Sequence, residues 1–441
     1  MGILSAVKKN REGTIICDNI SLAKTAALVE LCRTVWYTVV VTVSKIRRST
    51  MKKYTKVKTA AVMLLIAMAA SVFCACQNNS GSSSVPSENS TASQSEKADS
   101  QNADSSDPET ELSPDSSETS SDNTDGTASQ EDNEPTSIPE LSDPDPEDFG
   151  YLDDGILVYQ NTAYELFYGF DELAKDYAQT MSDIKNALGD DIKVYNVLVP
   201  THCGVTLPQR IADEYGISDQ KEYLDTIIHS YSADIIGINT FDTLMHHRNE
   251  YLYFNTDHHW TGLAAYYAYK DFCKAAGVDA VPLSKLEKGE IEGYYGSLTN
   301  YVDEDLLNVD TVEYYAADMD TSTRAYNSTA EEYSATTIIH SYAEGYNAYG
   351  VFLGGDNPLV VCKNNDGNGK KIAVVKESYG NAFCPYIAYT YGETHMIDFR
   401  YIEFDFLQYI KDNDIDEIIF INNAMASATP QRCEELQSLI S

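Results

Sequence analysis

The sequence predicts an α/β domain, with a largely parallel sheet covered by helices on both faces, behind a long lead that carries no fold signal. Three observations point there. From about Phe149 onward, helical spacing of apolar residues alternates with short β-rich runs. Those runs are near-continuously apolar, as expected of strands buried on both sides. Residues 149–441 also supply enough chain to enclose one large core.

The elements follow in order. The stretch 164–188 spaces its apolar residues as a helix does, and "DIKVYNVLVP" (191–200) reads as a strand stopped by Pro200. A helix is expected over 219–231, a strand over 233–239, and a helix over 261–277 closed by Gly277. Residues 280–370 break the rhythm: they are rich in Tyr, Asn, Asp and Gly, with short β-like pieces such as "TRAYNS" and "YGVFLGG". They are expected to form an inserted β-containing subregion or lid. The rhythm returns with a strand over 370–378, a helix over 379–391, a strand over 394–399, a helix over 403–413, and a strand over 415–422 before a last helix. In such sheets ligand sites form outside the C-terminal ends of the strands.

The lead divides into three. Residues 51–76 run from four lysines through an apolar stretch, Thr59 to Phe73, to Cys76, the order of a secretory signal. The pattern resembles a bacterial lipoprotein signal, which implies a lipid on Cys76 and a protein held outside the cytoplasmic membrane. An uncleaved N-terminal anchor is the alternative. Met51 followed by Lys52 and Lys53 reads as the start of the protein, with 1–50 an over-extended N-terminus. Alternatively 25–44 form a second apolar segment, which Glu30 and Arg33 make costly in lipid. Residues 77–148 carry nineteen Asp and Glu against the single Lys97, a net of −18 in a chain of −37, and too few apolar side chains to offset the entropy of ordering. This stretch is expected to be a disordered, extended tether. Acidity of this kind argues against nucleic acid as a partner. Five cysteines fall in the folding region (Cys203, Cys273, Cys362, Cys384, Cys433), without CxxC spacing, so no disulfide and no zinc site is assigned.

Two stretches carry chemistry. Ser378 ends a strand and opens a helix, where its hydroxyl can act as a nucleophile beside helix N–H groups, or can simply cap that helix. "TDHHW" (256–260) offers a helix cap, a metal ligand set, or a carboxylate orienting an imidazole. In an extended chain Asp257 and His259 would share one side and His258 the other, which suits the third and makes a shared metal awkward. No metal and no cofactor is assigned. Tyrosines, 32 in all, cluster at 266–269, 292–302 and 386–391; they stack on sugars, but are also ordinary packing residues.

"TDHHW", followed far downstream by "KESYGNAF", resembles the DHHW family of exported bacterial proteins, relatives of the SGNH-like alginate O-acetyltransferase proteins. "VPTH", "YYGSL" and "IDFRY" are further blocks that look like the family's. The resemblance implies an SGNH-like fold acting on acetyl esters of a cell-surface polysaccharide, and a membrane acetyl-donor protein as a partner. It makes Asp257 the orienting acid, His259 the general base and Ser378 the nucleophile. Asn381, Arg400, Trp260 and Tyr379 are candidates for oxyanion or substrate binding, with a surface ion pair as the other reading of Arg400. Glu377 stands where the relatives have Asp, which raises the question of whether the turn keeps its geometry. The alternative function is a catalytically silent glycan-binding or assembly lipoprotein with the same fold.

Overall fold

The structure is a computed structural model and describes residues 137–441; the segments 1–50 and 51–76, Cys76, and residues 77–136 of the acidic stretch lie outside the described residues. The described chain already packs on the domain before Phe149. Asp143 takes two hydrogen bonds of 2.6 Å from Arg210, whose guanidinium also donates to the carbonyls of Asp145 and Asp148. A bidentate pair of this kind ties the acidic segment to the domain.

In chain order the elements are β1 (Tyr151–Asp153), β2 (Ile156–Tyr159), β3 (Thr162–Tyr164), α1 (Asp171–Leu188), β4 (Lys193–Val199), α2 (His202–Val205), α3 (Gln209–Tyr215), α4 (Gln220–His229), β5 (Ile235–Asn239), α5 (Phe241–His246) and α6 (Gly262–Ala276). Then come β6 (Glu287–Tyr294), β7 (Asp310–Ala316), β8 (Thr321–Tyr326), β9 (Glu332–Thr336), β10 (Leu359–Asn364), β11 (Lys371–Lys376), α7 (Tyr379–Thr390), β12 (Glu393–Asp398), α8 (Phe406–Asp412), β13 (Glu417–Asn423), α9 (Ala424–Ser427) and α10 (Pro430–Gln437). The central sheet has the order β5-β4-β13-β11-β12-β10-β8-β9. Its first five strands are parallel, and β10, β8 and β9 continue it antiparallel.

Alternate residues of one strand feed two cores. Ile372 and Val374 of β11 pack with α6 and α7 on one face, while Ala373 and Val375 pack with α1, α4 and α8 on the other. All four are fully buried, which is why these strands read as unbroken apolar runs. Every residue of α7 is buried, because this helix lies against the sheet and beneath α6.

Several boundaries differ from the sequence reading. The helix expected from 164 begins at Asp171: residues up to Tyr164 complete a β-meander (β1–β3), and at Gly169 a Cβ would fall 2.3 Å from the Phe167 ring. Asp171 and Glu172 then place negative charge on the first turn, favourable to the helix dipole. "YGVFLGG" (349–355) is the end of a 3-10 turn, Gly345–Val351, followed by an isolated bridge at Phe352 and a turn, rather than a strand. Residues 280–370 supply the hairpin β6–β7, which stands apart from the sheet, and the three strands that extend it.

The turn that leads to "TDHHW" is ordered by one carboxylate. Asp310, at the start of β7, accepts from the backbone N–H groups of Asn255 and Thr256, from both their side chains, and from the Tyr251 hydroxyl. Asp310→Ala leaves these buried donors without partners, and should lower stability in denaturant unfolding by about 2–4 kcal/mol.

Candidate active site

The site lies where the parallel strands end. β11 runs out at Lys376 and turns through Glu377 and Ser378 into α7; the ends of β12 and β13 bring Arg400 and Asn423 to the same rim. They border a cleft of about 320 Å³, whose wall also includes Glu165, Thr201, His258 and Tyr379.

Residues 253–260 close a loop, with Tyr253 bridged to Trp260. Inside it Asp257 turns back on its own chain. One carboxylate oxygen accepts the backbone N–H of His259 at 2.9 Å and lies 2.5 Å from His259 Nδ1; the other accepts the Ser297 N–H at 2.7 Å. His259 Nε2 lies 2.8 Å from Ser378 Oγ. A serine hydroxyl, an imidazole and a carboxylate thus stand in one hydrogen-bonded chain, an arrangement able to serve as nucleophile, base and orienting acid. Burial pushes the Asp257 carboxyl up, but His259, His258 and the Ser297 N–H outweigh it and hold the group well below the ordinary carboxylate range.

The expected alternation of side chains does not hold for His258. The loop bends at each residue instead of running extended, so the two imidazoles fall on the same side, with ring centres 3.8 Å apart. His258 Nδ1 meets Ser297 Oγ at 2.6 Å. Asp257, His258 and His259 therefore bring ligand atoms within 4.8 Å of one another, although both ring nitrogens of His259 are engaged by Asp257 and Ser378.

Ser378 makes no side-chain cap to α7, which leaves its hydroxyl to His259. Glu377 supplies the capping bond: Oε2 accepts the Tyr379 N–H at 3.1 Å and lies 3.3 Å from Ser378 Oγ, and Oε1 accepts from Asn423 Nδ2 at 3.2 Å. The longer acid folds back onto the turn, and Ser378 keeps its contact with His259.

The other expected site residues divide. Tyr379 lines the cleft and its hydroxyl donates to the His258 carbonyl. Trp260 is fully buried and its Nε1–H donates to the Tyr379 carbonyl at 2.9 Å, which fixes the loop to α7 instead of offering a ring to a ligand. Asn381 does not reach the cleft wall: it is buried, its backbone N–H is spent on the Ser378 carbonyl and its amide donates to Asp356 at 2.8 Å. The first turn of α7 rotates it away from Ser378. Arg400 lines the cleft, in a network rather than a surface pair. It bonds Asp398 at 2.6 Å and Asp356 at 2.8 Å, and buried Lys376 meets Asp398 at 2.8 Å. Burial works against the Arg400 charge, but the two aspartates hold it firmly cationic.

Sequence reasoning missed Ser297, Tyr349 and Glu165. Tyr349 stacks on the His259 ring at 4.1 Å and 12°, and its hydroxyl donates to the Ser378 carbonyl at 3.0 Å. Glu165 is a half-buried cleft carboxylate, raised by burial and by Asp257. Only Ser297 left a signal, in the block "YYGSL": a Cβ on Gly296 would fall 2.2 Å from that of Asp257.

The doubly covered parallel sheet, with this serine at the C-terminal edge of β11, is an SGNH-like fold. The sequence matches the DHHW protein family over residues 92–397, and the chain belongs to that family. A DHHW family protein from Eubacterium siraeum is similar in structure at 27% identity, over 66% of this chain and 97% of that one, with a TM-score of 0.59. PatB1 from Bacillus cereus, in a structure with a sulfonyl adduct, is similar at 19% identity over 63% of this chain and 97% of its own, with a TM-score of 0.53. The O-acetyltransferase domain of AlgJ from Pseudomonas putida aligns at 13% identity over 64% of this chain and 99% of its own, with a TM-score of 0.37. No curated protein matches the sequence.

Loss of solvent around His258 pushes its pKa down to about 4. Such a histidine favours its neutral form in the fold, so its contribution to stability is full above the unfolded value of about 6.5 and is lost as pH falls toward 4. Thermal melts from pH 7 to pH 4 should therefore fall more steeply for wild type than for His258→Gln.

Proposed function

We propose that the domain is a serine enzyme that removes or transfers acetyl groups on a cell-surface polysaccharide, through an acetyl-serine intermediate. The observation that carries this reading is the unbroken chain from Ser378 Oγ through His259 to Asp257, at 2.8 and 2.5 Å. Choice of the acetyl group follows the sequence resemblance to the acetyltransferase proteins.

The chemistry runs in two halves. Ser378 Oγ attacks the acetyl carbonyl carbon as its proton passes to His259 Nε2. The tetrahedral adduct collapses, and the sugar oxygen leaves with that proton. Water, or a hydroxyl of a second sugar, then gives its proton to His259 and attacks the acetyl-serine; the tetrahedral adduct collapses, His259 returns the proton to Ser378 Oγ, and acetate or the new ester is released. Asp257 holds the imidazole in the productive tautomer and stabilises its charged form. For the oxyanion, the Ser378 backbone N–H donates to no partner among the described residues. Asn423 Nδ2, on the cleft wall, has a second N–H beyond the one given to Glu377. These two replace Asn381 as the donors, each worth about 3 kcal/mol to the transition state.

On this reading the lipid on Cys76 and the acidic stretch behind it tether the domain outside the cytoplasmic membrane. Among the described residues, no helix is long and apolar enough to cross a membrane. One observation favours the silent, glycan-binding alternative: the Glu377 carboxylate, 3.3 Å from Ser378 Oγ, competes with His259 for its proton.

The test is hydrolysis of 4-nitrophenyl acetate and of acetylated xylan by the full chain. Ser378→Ala and His259→Ala should each lower kcat by about a thousandfold or more, and Asp257→Asn by a comparable factor. EDTA should leave the rate unchanged; its loss in EDTA would move the assignment to a metal held by Asp257, His258 and His259. A sulfonyl fluoride should modify one residue, Ser378, as read by peptide mass spectrometry. Inertness to reagent and ester alike, in a folded protein, would leave the silent alternative.

Tyr349 provides a further check. Its ring lies flat on His259 and helps hold the imidazole in line with Ser378. Tyr349→Leu should lower kcat for 4-nitrophenyl acetate by about tenfold or more, through loss of the imidazole's alignment. Tyr349→Phe, which keeps the ring, should retain kcat within about threefold.

A further inference from the structure

The exposed tyrosines around the catalytic loop have no role in the chemistry above. Among them Tyr342 is 77% exposed, Tyr346 66% and Tyr301 52%. Scattered apolar groups on a surface need no explanation, but one of these rings has an aromatic neighbour. The rings of Tyr295 and Tyr346 come from separate segments and meet at 6.4 Å, tilted by 38°. The Tyr346 hydroxyl donates to Glu304 at 2.8 Å, which fixes the ring in an otherwise open position.

Both rings are tied by short lengths of chain to the catalytic relay. Tyr295 lies two residues before Ser297, whose N–H bonds Asp257 and whose hydroxyl meets His258. Tyr346 lies three residues before Tyr349, in the same 3-10 turn, and Tyr349 stacks on His259. Two extended residues reach about 7 Å, and three residues of 3-10 helix rise about 6 Å. The backbone of each tyrosine of the pair therefore lies within about 7 Å of a residue that touches the relay.

We propose that Tyr295 and Tyr346 form a stacking subsite for pyranose rings of a polysaccharide, carrying the chain toward Ser378. This rests on the reading of the site given above. A tyrosine offers an apolar face to the C–H face of a sugar while its hydroxyl remains hydrogen-bonded. Glu304 holds one ring without closing its face. Two tilted faces from different segments form a short rail that suits a chain of linked rings better than a single small ester.

The test uses the full chain in native gels cast with acetylated xylan, acetylated glucomannan or water-soluble cellulose acetate, a binding readout that needs no catalysis. Wild type should be retarded by at least one of the three. Tyr346→Ala and Tyr295→Ala should each weaken that retardation about three- to tenfold, the range of a single aromatic contact. Tyr346→Phe keeps the ring and should bind within about twofold of wild type. In the same proteins, the ratio of kcat/KM for the retarding polysaccharide's acetyl esters to that for 4-nitrophenyl acetate should fall by the same factor as binding. No retardation of wild type, retardation unaltered in both alanine variants, or equal damage by Tyr346→Phe and Tyr346→Ala would each overturn the subsite. If binding follows the tyrosines but no ester is cleaved, the subsite stands and the esterase reading falls. If esters are cleaved while binding ignores the tyrosines, only the subsite falls.

Discussion

A buried carboxylate must be surrounded by donors, and Asp257 shows how much chain that requirement organises. Its donors come from His259, two residues on, and from Ser297, forty residues on. The first turns the imidazole toward Ser378; the second brings the long Tyr- and Asn-rich segment down over the loop. Orientation of the base and closure of the domain are consequences of one side chain. Asp310 does similar work one layer back, collecting the donors of Tyr251, Asn255 and Thr256 so that the loop enters at a fixed angle.

The end of β11 has a charge problem of its own. Lys376, Glu377 and Ser378 leave the sheet where Asp398 and Arg400 leave β12, and Asp356 closes the group from the neighbouring segment. Two cations and two aspartates cancel within this network, so a fully buried lysine two residues before Ser378 is tolerated. Glu377, outside it, faces the turn and satisfies Tyr379 and Asn423. The same carboxylate approaches Ser378 Oγ, so one group both shapes the turn and touches the hydroxyl.

Residues 280–370 connect fold and site. They extend the sheet through β8 and β10, carry Ser297 and Tyr349 to the histidines, and leave Tyr346 in solvent. Packing against the relay and presentation of aromatic rings thus belong to one segment, and its surface tyrosines lie outside the hydrogen-bonded chain beneath.

The α/β class and the parallel sheet were legible in the sequence, because strands such as 371–376 and 417–423 bury both faces and so are apolar at every position. Helix ends at Thr261 and Gly277 were legible too, since capping is decided by residues a few positions apart. The sequence also singled out Asp257, His259 and Ser378, which the fold brings into one hydrogen-bonded chain although His259 and Ser378 lie 119 positions apart. What it did not determine was where their neighbours point: His258 beside His259 rather than opposite, Asn381 turned to Asp356, Tyr349 flat on the base. Local periodicity records which faces are buried, whereas these contacts join segments tens to more than a hundred residues apart, and only closure of the chain decides which of many polar side chains meets a given donor.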